Sequence, residues 1–202
     1  MNKPVAFVTG ASRGIGAESA IALAEGGFNV AIVARTLAEG ENHQHGDNSA
    51  PLPGSLQATA KAVEQRGGEA LCLRGDVLDQ ASMVTAAQAA LNHFGQVDIL
   101  FNNAIYQGPG IQDNLLDVTD ANLQNMYQGN VFSPLALVKE LLPNMLKRDN
   151  GLIINMLSYT AFNDPPAPAD KGGWGFAYPS SKAAFGRRVG SLSAEHGDST
   201  CQ

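Results

Sequence analysis

The sequence predicts an α/β fold, one doubly wound parallel sheet covered by helices on both faces, and three observations carry that expectation. Short apolar runs of strand length alternate regularly with longer, periodically apolar segments of helical length. The first apolar run leads straight into a glycine-rich turn, Thr9-Gly10-Ala11-Ser12-Arg13-Gly14-Ile15-Gly16. The residues best suited to ligand chemistry also fall at the carboxyl ends of the expected strands, where open α/β sheets bind their ligands.

The elements are read in chain order. Val5–Thr9 is the first strand, built on the run Val5-Ala6-Phe7-Val8. Gly10, Gly14 and Gly16 then let the backbone turn without a Cβ clash and let a phosphate approach the main chain, while the helix N-terminus presents free N–H groups to an anion. Ser12, Arg13 and Ile15 lie within the same phosphate-binding turn, although a tight strand-to-helix connection with no ligand would use similar residues. Ile15–Glu25 is the first helix and Asn29–Ala34 the second strand. At the end of that strand, Ala34-Arg35-Thr36 carries no carboxylate to meet a ribose hydroxyl, and Arg35 with Arg13 suits a 2′-phosphate. That choice predicts NADP(H) over NAD(H). Residues 36–53 form a loop insertion too long for an ordinary connection; Glu39 and Glu41 lie inside it, and His43 and His45 read as solvated rather than as metal ligands. Next come a helix over Gly54–Arg66, a strand at Ala70–Arg74 and a helix at Gln80–Phe94. A strand at Asp98–Asn102, a long helix from Thr119 to Lys147 and a strand at Gly151–Leu157 follow. The loop over 159–177, rich in Pro and Gly and carrying Trp174 and Phe176, is expected beside the chemistry, either as a substrate wall or as an apolar anchor. The helix Tyr178–Glu195 closes the pattern.

Tyr178 and Lys182 stand four residues apart at the start of that last helix. With Pro179 at the first helical position, the two side chains share one face, where the ammonium favours the phenolate and makes Tyr178 a usable acid or base. The same spacing arises on amphipathic helices that do no chemistry. Ser158 ends the preceding apolar run, 20 residues before Tyr178.

Taken together, these residues resemble the classical short-chain dehydrogenase/reductase family. Thr9–Gly16 looks like its cofactor-phosphate turn, Gly75-Asp76-Val77 like its adenine-holding segment, and Asn102-Asn103-Ala104 like its Asn-Asn-Ala-Gly motif with Ile105 in the last position. Asn130 stands in the central helix, and Ser158, Tyr178 and Lys182 complete the set. The resemblance implies a Rossmann fold and hydride transfer between a nicotinamide and a carbonyl carbon. Tyr178 would move the proton, Ser158 would bind the substrate oxygen, Lys182 would assist Tyr178 and hold the ribose, and Asn130 would hold a relay water. Asp76, Val77, Asn103 and Ala104 would join the glycine turn around the cofactor, and no metal is called for. Extended sugar-nucleotide epimerases share Tyr-x3-Lys but fit the glycine spacing less well.

The chain's 202 residues, 44% hydrophobic and 16% charged, suit a single domain over 1–202. A net charge of −6 without a basic cluster argues against nucleic acid or an anionic membrane surface, and no apolar run is long enough to span a bilayer. Two cysteines suit a reducing, cytoplasmic setting. The expected partner is a small carbonyl or alcohol; steroid, sugar, fatty acyl and xenobiotic compounds all stay open. By analogy with the family, a homo-oligomer would pair through the helices at 119–147 and 178–195. The family continues beyond the point where this sequence stops, so the sequence reads as a C-terminally truncated form lacking the last strand or strands. An alternative function follows: a catalytically weak variant that binds nucleotide or a partner.

Overall fold

The computed structural model describes residues 3–41 and 52–201. Five strands, β1 (Val5–Thr9), β2 (Asn29–Ala34), β3 (Ala70–Arg74), β4 (Ile99–Asn102) and β5 (Leu152–Asn155), form one parallel sheet in the order β3-β2-β1-β4-β5. The order reverses beside β1, so the crevice between the ends of β1 and β4 is the topological switch point.

Side chains alternate along each strand and are apolar on both faces, as a parallel sheet covered on two sides requires. Val5 and Phe7 of β1, Ala31 and Val33 of β2 and Leu100 of β4 pack under α3 (Gln80–Phe94) and α5 (Ser133–Arg148), against Met83, Ala87, Leu137, Leu141 and Met145. Ala6, Val8, Val30, Ile32 and Phe101 face the other way, onto α1 (Gly14–Glu25) and α2 (Leu56–Gln65), through Ala20, Ala24, Leu56 and Val63. The small residues of α1 bring that helix close to the sheet. Cys72 is a half-buried neighbour of this second cluster, and burial pushes its thiol pKa up.

At the amino ends of the strands, Asp98 is a hub. Its carboxylate accepts hydrogen bonds from Val5 N (2.7 Å), Gln96 Nε2 (3.1 Å), Asn150 Nδ2 (2.9 Å) and Arg148 Nη1 (2.5 Å), at 7% exposure. It ties β1, β4 and the α5–β5 turn together.

The expected elements recur with shifts at their ends and one change of substance. The segment from Thr119 to Lys147 is not one helix: α4 (Asp120–Tyr127) passes through a π-helical turn at Gln128–Phe132 before α5 begins. The last helix, α6 (Ala177–Glu195), starts one residue earlier than expected. Pro179 is therefore at its third position rather than its first, still within the turn whose N–H groups need no helical partner. Of the 36–53 insertion only its two ends are described; His43 and His45 lie outside the described residues.

Candidate active site

A cleft of about 680 Å³ opens at the carboxyl ends of the strands. Its walls include Gly10, Ser12, Arg13 and Ile15 after β1, Arg35 after β2, Asp76 and Val77 after β3, and Asn103 and Ala104 after β4. Ser158, Tyr178 and Lys182 complete it, so twelve of the fifteen candidate site residues share one cavity. Gly14, Gly16 and Asn130 do not line it.

The glycine turn is held by its neighbours. Thr9 Oγ accepts the N–H groups of Asn103 (3.1 Å) and Ala104 (3.0 Å), and Asn103 Nδ2 donates to Thr9 O (2.9 Å), which locks the end of β1 to the end of β4. Gly16 is buried behind that lock. A Cβ there would lie 2.3 Å from Gly10 O and 2.7 Å from Asn103 Nδ2, so its part is close packing of α1 on the turn rather than contact with a ligand. Gly14 takes φ +56°, with open space around it. At the start of α1, Arg13 holds the cap position in extended backbone with no side-chain hydrogen bond to the helix N–H groups, and the first turn holds no acidic residue. That leaves a helix N-terminus suited to an anion, facing a cleft whose glycine wall admits close approach. The donor set fits a dinucleotide's pyrophosphate.

Arg13 reaches across to residues 52–54. Its Nε donates to Pro53 O (2.9 Å) and its Nη2 to Gly54 O (3.0 Å) and Thr36 Oγ (3.2 Å). The two glutamates of the insertion turn elsewhere: Glu41 forks onto Arg74 (2.9 and 3.0 Å) and accepts Ala38 N, and Glu39 accepts Gly54 N (3.3 Å). Among the described residues, Asp76 is the one carboxylate lining the cleft.

At the other end, Lys182 is 2% exposed and donates from Nζ to Met156 O at 2.6 Å, beside the end of β5. Burial, together with the charge of Arg188, lowers its pKa to about 8. Its ammonium lies 6.0 Å from the centre of the Tyr178 ring. Ser158 caps the short helical turn Tyr159–Ala161, with Oγ 2.9 Å from Thr160 Oγ.

Asn130 lies behind the cleft rather than on its wall. Its side chain is 1% exposed and consumed by the protein: Oδ1 accepts Tyr106 N (2.9 Å), and Nδ2 donates to Ser181 Oγ (3.0 Å). It is a strut joining the π-helical turn, the 105–109 segment and α6, with both amide hydrogens directed at protein atoms, Ser181 Oγ and Met126 Sδ. Of the two expectations for the 159–177 loop, the placement agrees with the apolar anchor rather than the substrate wall. None of its residues lines the cleft; Trp174 and Phe176 border a second hollow with Leu115 and Pro168, and the loop is tied back by Ala169 N to Asn114 Oδ1 (3.2 Å). That part of the cleft wall comes instead from Ile105, in the last position of the Asn-Asn-Ala-Gly motif, and from Tyr106, Gln107, Gly108 and Pro109, which no sequence motif marked. Thr9 was read only as the start of the glycine turn and not as its lock, and the Met156 carbonyl was missed, because a backbone oxygen carries no pattern of its own.

The short chain dehydrogenase family matches residues 4–49 and 49–200. An uncharacterized oxidoreductase of Bacillus subtilis, YhdF, is 32% identical over 181 residues, covering 90% of this chain and 54% of that protein. The chain spans 54–65% of the length of the first curated relatives it matches. A metagenomic short-chain oxidoreductase solved in complex with NADP superimposes with a TM-score of 0.81 at 27% identity, over all of this chain and 80% of the other. Carveol dehydrogenase from Mycobacterium avium, solved with NAD, shares the fold with a TM-score of 0.83 at 22% identity, over all of this chain and 69% of its own.

Proposed function

Because this chain belongs to the short chain dehydrogenase family, we propose that it is an NADP(H)-dependent oxidoreductase interconverting a carbonyl and an alcohol. The observation that carries the reading is one cleft joining the start of α1, which no side chain caps and which Gly10 borders, to the Ser158, Tyr178 and Lys182 side chains. Bound there, the dinucleotide would supply or accept the hydride.

The chain's own residues do the rest. Main-chain N–H groups at the start of α1 would hold the pyrophosphate, and Asp76 and the Asn103–Ala104 segment would flank the remainder of the dinucleotide. Ser158 Oγ donates to the substrate oxygen, where negative charge grows during reduction. The Tyr178 hydroxyl gives its proton to that oxygen in reduction and takes it back in oxidation. Lys182, cationic below about pH 8, puts positive charge beside Tyr178 and stabilises negative charge on the phenol oxygen.

Preference for NADP(H) is supported at the end of β2. Arg35 and Arg13 line the cleft there, while Glu39 and Glu41 are engaged with Gly54 and Arg74. Arg13 is bonded to the carbonyls of residues 52–54, so a 2′-phosphate would share it with them or draw it away. No helix among the described residues is long and apolar enough to cross a membrane, and the two free cysteines are consistent with a reducing compartment.

Titrating the purified chain with NADPH and NADH, then screening carbonyls, tests the proposal. NADPH-selective binding followed by reduction is the expected result, and preference for NADH would remove the 2′-phosphate reading. Binding without turnover on any carbonyl would favour the alternative, a nucleotide-binding chain of weak catalytic power.

A further inference from the structure

Behind the cleft, α6 carries a row of side chains that the proposed chemistry does not use. Lys182, Phe185 and Arg188 follow one another at three-residue steps, so they lie along adjoining strips of the helix surface. The Phe185 ring, 2% exposed, takes the Lys182 ammonium at 4.9 Å and the Arg188 guanidinium at 4.2 Å from its centre. Arg188 also donates from Nη2 to Asn155 Oδ1 (3.0 Å) and from Nε to Phe185 O (3.2 Å). Asn155 is the last residue of β5, and its Oδ1 receives Asn102 Nδ2 (3.1 Å) from the last residue of β4. The next residue, Met156, donates its N–H to Asn102 O and offers its carbonyl to Lys182.

This cluster is costly to the fold. Arg188 Nη1 and Asn102 Oδ1 are buried with no partner among the described residues, and burial lowers the Arg188 pKa to about 10. A largely buried guanidinium laid on a phenylalanine and bonded to one asparagine, with no carboxylate among its bonded partners, is poor design for stability alone; an apolar side chain of similar length would serve packing better. Buried charge that the fold does not need is expected where a reactive group has to be held or tuned.

We propose that Arg188 is a positioning residue for the Tyr178–Lys182 pair: its guanidinium, laid on Phe185 and bonded to Asn155, fixes the strand end whose Met156 carbonyl holds the Lys182 ammonium. The assignment rests on reading Tyr178 and Lys182 as the reacting pair. A second consequence is electrostatic, because a fixed cation across one aromatic ring opposes the charge on Lys182 and makes its proton easier to lose. The groups against Lys182 are Tyr178, Phe185 and Arg188 on its own helix and, from the strand end, the neutral Met156 carbonyl. The other charged residues lining the cleft, Arg13, Arg35 and Asp76, follow β1, β2 and β3.

The test needs no turnover. Lysine carrying 13C at Cε is incorporated into the whole chain, the Lys182 signal is assigned by its loss in Lys182→Arg, and its titration is followed in the wild type, Arg188→Met and Arg188→Lys. Lys182 is expected to titrate near pH 8 in the wild type, at higher pH in Arg188→Met, and close to the wild type again in Arg188→Lys. Arg188→Met should melt no lower than the wild type. An unchanged titration in Arg188→Met overturns the proposal, as does a loss of melting temperature without a shift, which would make Arg188 a packing residue. If Arg188→Met does not fold, Arg188→Gln, which removes the charge and keeps an amide for Asn155, carries the same test; failure of that variant to fold also overturns it. Where the wild type turns over, the alkaline limb of kcat/KM moves up in Arg188→Met. A wild type that binds no dinucleotide and reduces no carbonyl refutes the oxidoreductase reading while leaving the titration result standing.

Discussion

Adding one methyl group at Gly16 should damage both the fold and the ligand site. The new Cβ would sit 2.3 Å from Gly10 O and 2.8 Å from Gly10 C, about 1 Å inside the 3.4 Å at which ordinary contact begins. Both obstacles are backbone of the glycine turn, so relief requires α1 and the turn to separate, pulling on the Thr9–Asn103 lock. Overpacking of this kind costs about 1–3 kcal/mol. For a chain of this size each kcal/mol lowers Tm by about 2–4 °C. The same displacement moves the pyrophosphate-facing N–H groups, and NADPH affinity should fall on the order of tenfold. Gly14→Ala is the control: its Cβ meets nothing within 4 Å, and only the left-handed backbone at φ +56° is strained, for about 1–2 kcal/mol. Thermal melts with and without NADPH, alongside a fluorescence titration, measure both effects. A Gly16→Ala chain that melts within a degree of the wild type and binds NADPH equally well would refute the packing argument.

Four further outcomes are expected. Tyr178→Phe should keep dinucleotide affinity while turnover drops by about 10²–10⁴-fold; retained turnover would remove Tyr178 from the proton path. Arg35→Ala should weaken NADPH binding more than NADH binding, and an equal loss for both would make Arg35 a general anchor. Lys182 has a folded pKa of about 8, below its ordinary 10.5, so the unfolded chain holds more protons between these values and the destabilisation from this residue is greatest below pH 8. Relative to Lys182→Met, the wild type should therefore gain about 2 kcal/mol between pH 7 and 9.5; denaturant melts at the two pH values that show a constant gap would contradict it. Asp98→Ala strands Arg148 and removes the bond to Val5 N, and should cost about 3–5 kcal/mol. NADPH binding to the folded Asp98→Ala protein should be unchanged, because Asp98 lies at the opposite end of β4 from the cleft.

Much of this architecture was legible in the residues. Val5–Thr9, Asn29–Ala34, Ala70–Arg74 and Gln80–Phe94 match the observed elements end to end, since each is a clean apolar pattern bounded by glycine or a polar cap. The candidates that line the cleft could be picked out because glycine, tyrosine and lysine carry their chemistry in side-chain identity and spacing. What escaped depends on long-range geometry. Nothing in Gln128–Phe132 distinguishes a π turn from the helix around it; the turn leaves Asn130 bonded to Tyr106 and Ser181, residues distant in sequence. The position of the 159–177 loop between Ser158 and Tyr178 could not choose between substrate wall and apolar anchor; its backbone packs against 112–115, where a Cβ at Gly175 would meet Asp113 O at 2.2 Å. Arg188 drew no notice because an arginine on a helix is ordinarily a solvated one.

Asp98 and its partners bind the strands at one end of the sheet, and every ligand-facing group is at the other. The two kinds of demand on the sequence are thereby separated by the length of a strand. A lineage descending from such a chain can vary Ile105–Pro109 or the residues after β2 without disturbing the anchorage that keeps the domain folded, and so can acquire new chemical preferences by small mutational steps.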